Sequence, residues 1–199
     1  MGTGSLTAIE VVIQGSYGSG CVPRQIVLLR GINLGSRNRV PMPELRKLLE
    51  GAGFEDVQTY VQSGNVVLSS TASPTKVAET CRKEILRRFK LEIAVVVRSR
   101  SDLEKVVKRN PLGDVADDPK RYQVSFLEGK LDRKAAEKVK AAAVEPEQVV
   151  IAGREIYAWH PKGVARSKLW TLLAGKGLGV TATARNWTTV TKLLELADA

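Results

Sequence analysis

The chain has 199 residues, 43% hydrophobic and 26% charged, with 31 basic against 21 acidic side chains and a formal charge of +10. That composition is globular. No apolar run reaches the roughly 18 residues of a membrane span, and the N-terminus lacks the basic-then-apolar order of a secretory signal, so the expected compartment is the cytoplasm. With two cysteines and one histidine there is no disulfide framework, CxxC redox pair or zinc-ligand spacing, and no metal or cofactor is expected.

Residues 1–22 mix one short apolar stretch with turn formers and hold a single charge, Glu10, and they read as a disordered or loosely packed extension. From Gln25 the pattern becomes regular. "QIVLLRG" alternates as a strand, and "MPELRKLLEGAG" is a helix opened by Pro41 and Pro43 and stopped at Gly51 and Gly53. "DVQTYVQ" and "NVVLSS" are strands joined through "SGN" as a hairpin. In "PTKVAETCRKEILRRFK" Val77, Cys81, Ile85 and Phe89 recur every four residues, so Cys81 belongs to a core-facing helix stripe. "IAVVVRS" completes the order βαββαβ.

After a helical connector and loop over residues 101–118, the order begins again. "RYQVSFLEG" is a strand and "DRKAAEKVKAAA" a helix; "EQVVIAG" with "REIYAWH" forms a hairpin, "SKLWTLLAG" a helix and "LGVTATA" a weak strand. "NWTTVTKLLELA" adds an amphipathic helix at the C-terminus. The reading is α+β: two tandem ferredoxin-like (βαββαβ) domains over residues 23–100 and 119–199, the second with an added helix.

The stretches "LLRGINLG", "TYVQSGNVV" and "TARNWTTVTKL" resemble a bacterial domain-of-unknown-function family, number 1697, and the likeness runs from Arg24 to about Leu196. The resemblance implies two ferredoxin-like domains and brings no activity, substrate or catalytic residue with it.

Enzyme templates find no match: there is no GxSxG elbow, HExxH, P-loop or GxGxxG, and the lone His160 in "YAWHPKG" fits a strand end as well as a base. The informative feature is where acids are missing. Neither Asp nor Glu occurs between Glu10 and Glu44 or from Ile156 to Leu194, while Arg24, Arg30, Arg37, Arg39, Lys162, Arg166, Lys168, Lys176, Arg185 and Lys192 do. Such windows favour an anionic partner.

In the loop "RGINLGSRNRV", Gly31 and Gly35 permit sharp turns and Asn33 and Asn38 suit turn positions, so Arg30 and Asn33 would face an anion. If Gln62 pairs with Asn65 across the hairpin, Gln58, Tyr60, Gln62, Asn65, Val67 and Ser69 share one face, and Val57, Thr59, Val61, Val66 and Leu68 share the helix-covered one. The polar set then lies on an open sheet face or against the second domain. Asn186 is placed to cap the last helix with Arg185 beside it as a forked donor, an arrangement that holds phosphate or carboxylate, or simply caps and packs.

The expected site is one positive interdomain surface of Arg30, Asn33, Gln62, Asn65, Lys168, Arg185 and Asn186, and the expected ligand is a nucleotide or RNA. The central strands lack the aromatics of base-stacking RNA readers, and no motif for sequence-specific DNA recognition is present. Two alternatives stay open: a small-molecule enzyme using the interdomain groove, and a protein-interaction module.

Overall fold

The computed structural model describes residues 22–35, 37–174 and 177–199, so the expected extension lies, apart from Val22, outside the described residues. The first half of the chain runs β1 (Arg24–Leu29), α1 (Met42–Gly51), β2 (Glu55–Tyr60), β3 (Asn65–Ser69), α2 (Pro74–Phe89), β4 (Val95–Ser99) and α3 (Arg100–Arg109). The second runs β5 (Tyr122–Leu127), α4 (Arg133–Ala142), β6 (Gln148–Ala152), β7 (Glu155–Trp159), α5 (Lys168–Ala174), β8 (Ala182–Asn186) and α6 (Trp187–Asp198). The fold is therefore α+β, with two four-stranded antiparallel sheets ordered β2-β3-β1-β4 and β6-β7-β5-β8.

Each half repeats the same seven elements, and local chemistry sets their ends. Proline stands in the first turn of α1 and α2, where the missing N–H is no loss. Ser99 caps α3 and Asn186 caps α6, each accepting from a backbone N–H three residues on, so both helices start directly off an edge strand.

Alternation along the strands produces three cores in five layers. Val27, Leu29, Val66 and Leu68 face α1 and α2, where Leu45, Leu49, Val77, Cys81 and Ile85 meet them. Leu127, Ile156 and Ala158 face α4 and α5 through Val139, Leu169 and Leu173. The remaining faces look at each other: Ile26, Leu28, Val67 and Val96 from one sheet, and Val124, Phe126, Tyr157 and Trp159 from the other, close on α3 and α6 between them. At roughly 1.5 to 3 kcal/mol for each large side chain fully buried, this middle layer binds the halves strongly. The helix read from sequence as a connector is thus half of a central helix pair, and of the two readings of the polar sheet face, open or against the second domain, the packing selects the latter.

The first hairpin departs from its expected register. Tyr60, not Gln62, lies opposite Asn65, and Val61–Gly64 forms a four-residue turn. The slip is two residues, so the faces are preserved: Val57, Val66 and Leu68 still point to the helices. Val61 leaves the expected set, 51% exposed at φ 48°. The cause is tertiary, because the turn carbonyls are claimed by Asn33 and Arg185 from elsewhere in the chain.

Candidate functional site: the cleft beyond strand β1

The loop after β1 is held by its own asparagines. Asn33 and Asn38 take left-handed backbone angles, as do Gly31 and Gly35, and asparagine pays less for this than other non-glycine residues because its side chain bonds the backbone locally. Asn33 Nδ2 donates to the carbonyls of Val40 at 3.0 Å and Gln62 at 2.8 Å, while its Oδ1 accepts from Val40 N at 2.8 Å. Asn38 Nδ2 closes the loop on the Gly31 carbonyl at 2.8 Å. One donor of Asn33 therefore closes its own loop on Val40 and the other pins the hairpin turn to that loop.

Arg185 lies 8% exposed in the same neighbourhood. From the end of β8 its guanidinium crosses into the first half: Nη2 donates to the carbonyls of Leu29 at 2.8 Å, Ser63 at 3.2 Å and Gly64 at 3.3 Å, and Nε donates to Asn65 Oδ1. Nη1 serves Thr183 Oγ1 and the Ala184 carbonyl. Among the described residues no carboxylate meets it; burial pulls its pKa down to about 10, which leaves it charged at neutral pH. Asn65, fully buried, also donates through Nδ2 to the Tyr60 carbonyl and Ser63 Oγ.

Gly64 is the residue this packing requires. It has φ 74°, and a Cβ there would fall 2.7 Å from Leu29 Cβ and 2.8 Å from Ile32 Cδ1.

The expected set of seven therefore separates. Asn33, Asn65 and Arg185 do converge, but on the hairpin turn and the end of β1 as an internal knot, which Gln62, an exposed residue, joins through its backbone carbonyl. Asn186 accepts from Thr189 N and acts as a helix cap. Lys168 stands at the start of α5 beside a different cavity. Arg30 alone lines the open space between the halves: a cleft of about 580 Å³ walled by Arg30, Gly31 and Asn38, by Glu92–Ala94, and by Gly179–Thr181 of the second half. Its Nη2 reaches across to the Ala174 carbonyl at 2.7 Å. The segment 179–181 was missed in the sequence, since nothing local marks a loop as the far wall of a cleft.

The second cavity, about 550 Å³, lies between the loops before β6 and before α5, with Glu145, Glu147, Lys162, Arg166, Ser167 and Lys168 around it. At its base Glu147 Oε1 stands 2.7 Å and Ser167 Oγ 3.3 Å from the same nitrogen, Nδ1, of the fully buried His160. A serine relay needs nucleophile and acid on opposite ring nitrogens. Here Nε2 is buried with no hydrogen bond among the described residues and the ring edge meets Trp170, while Ser167 Oγ accepts from Trp170 N. The cluster ties two loops together and has no nucleophile-activating geometry. No group of three or more metal-ligating side chains occurs among the described residues.

These features define an α+β protein of two repeated halves around a shared helix pair, with a basic residue spanning the cleft between them. The chain belongs to the family described as protein of unknown function (DUF1697), whose profile matches residues 22–157. That match contains the first two sequence signatures and ends before "TARNWTTVTKL". In fold the chain is similar to the conserved bacterial protein SP0830 from Streptococcus pneumoniae, with a TM-score of 0.74 and 23% identity over 88% of this chain and 99% of that one. No curated protein matches. Among the described residues no helix is long and apolar enough to cross a membrane.

Proposed function

We propose that the chain is a tandem pair of ferredoxin-like units, near residues 23–100 and 119–199, that binds an anionic ligand, a nucleotide or RNA, in the cleft between them. The supporting observation is the placement of Arg30: a guanidinium that spans two units at a cleft of about 580 Å³, a size suited to a small ligand. Gly31 and Gly179, both at positive φ, let the two wall loops bring backbone close to a bound group. The excess of positive charge raises the local concentration of polyanions.

Glu92 on the same wall supports a second reading, a small-molecule enzyme in which that carboxylate moves a proton while Arg30 holds the substrate's charge. Thermal-shift measurements with nucleotides, phosphosugars and short RNAs separate the two, because a ligand that binds the folded state raises its melting temperature. An RNA bound through phosphates loses affinity steeply with salt, and a flat response counts against it. Arg30→Ala should weaken the ligand by about 1 to 3 kcal/mol while leaving the fold intact. Unchanged affinity would overturn the anion reading, and turnover lost on Glu92→Gln would favour the enzyme.

A further inference from the structure

Of the four outer strands among the described residues, β4 and β8 lie at the junction of the halves, where Arg98 donates to the Leu127 carbonyl and Arg185 to the Leu29 carbonyl. That leaves β2 and β6. Strand β2 carries the usual protection of an exposed edge: Glu55 and Asp56 stand on it, Asp56 at φ 47°, and its register with β3 is broken between Glu55 and Gln58. Strand β6, "QVVIA", carries none. It pairs with β7 over five consecutive residues without a bulge, holds no charge and no proline, and leaves Val149, Val150 and Ile151 half-buried.

We propose that β6 is the docking edge for a second copy of this chain, joining the two β6 strands antiparallel into one eight-stranded sheet. The two-residue turn Gly153–Arg154 makes Ala152 and Glu155 a mutually hydrogen-bonded pair, and the alternation then turns the N–H and C=O of Val149 and Ile151 outward. A two-fold axis at Val150 sets Val149 opposite Ile151 of the partner subunit, so each outward pair finds its complement, as an isologous contact requires.

The flanks also match. Exposed Glu145 precedes the strand and exposed Arg154 follows it, so antiparallel pairing brings Glu145 of one copy beside the partner's Arg154, while Glu147 stays on His160. An identical strand therefore satisfies both the hydrogen bonding and the charge of this edge.

Sedimentation equilibrium of the full chain over a concentration series tests this. The expected species is a dimer of the 21.7 kDa chain. Val149→Pro deletes one outward N–H in each copy and should raise the dissociation constant by about tenfold or more. Since Val149 also packs toward α4, a second variant removes ambiguity: Arg154→Glu places like charges together and should raise the constant about threefold to tenfold. Adding Glu145→Arg to Arg154→Glu should restore it. A monomer at every concentration, a dimer indifferent to both variants, or a charge swap that fails to restore association would each overturn the proposal.

Discussion

Arg98 and Arg185 occupy matching places in the two halves, one residue before the helix cap that follows an edge strand, and each crosses into the opposite half. Arg98 Nη2 donates to the carbonyls of Leu127 at 2.7 Å and Arg154 at 3.2 Å, the end of β5 and the β6–β7 turn. Arg185 Nη2 finds the corresponding carbonyls of Leu29, Ser63 and Gly64. The difference lies at Nε: Arg98 meets the carboxylate of Glu155 at 3.0 Å, Arg185 only the amide of Asn65, and Glu155 and Asn65 are the first residues of β7 and β3.

One junction is a buried ion pair and the other a cation held by neutral dipoles. Burial lowers both arginine pKa values, but Glu155 opposes the shift at Arg98, whereas no carboxylate among the described residues does so at Arg185. Asparagine at 65 has a local reason: its Nδ2 supports the turn through Tyr60 and Ser63, and an aspartate would set lone pairs against the Tyr60 carbonyl.

The comparison breaks or sharpens by mutation. Arg98→Met should cost the most, about 3 to 5 kcal/mol by urea denaturation, since it strands a largely buried carboxylate. Adding Glu155→Met should recover much of that loss. Arg185→Met removes an unneutralised charge and leaves only neutral acceptors, of which the Gly64 carbonyl keeps the Leu29 N–H at 2.8 Å, so about 1 to 3 kcal/mol is expected. Equal costs at the two positions would remove the distinction. Asn65→Asp should fall within about 1 kcal/mol of the parent, the gained charge pairing offset by the lost Nδ2 bonds. A large gain would show that the turn contacts matter little.

The smallest effect is read through Cys81, buried in the core of the first half with its thiol pushed up to about 12. Its folded pKa exceeds the ordinary 9.0, so the stability this thiol contributes is complete below pH 9 and fades as pH rises toward 12. At pH 8 the folded protein should not be alkylated at Cys81, as mapped by peptide mass spectrometry. Arg185→Met, which releases the strand end and turn of the first half, should speed that alkylation relative to Arg98→Met at matched overall stability. The reverse order would place the weaker junction on the other side.

What the sequence determined by itself is what depends on near neighbours. Period-two alternation gave the faces of β3 even though the hairpin register was two residues off, the four-residue spacing put Cys81 inside, and proline and asparagine marked helix starts. The family resemblance, too, was carried by three local stretches, two of them within the matched residues 22–157.

Only the tertiary structure decided where each polar side chain would spend its donors. Arg185 and Lys168 look alike in sequence, as basic residues in an acid-free window. Yet one is buried against carbonyls more than 120 residues away, while the other borders a separate cavity. Periodicity reports that a face is buried but not what buries it. A charge keeps or loses its water according to the strand ends and turns that the chain folds around it.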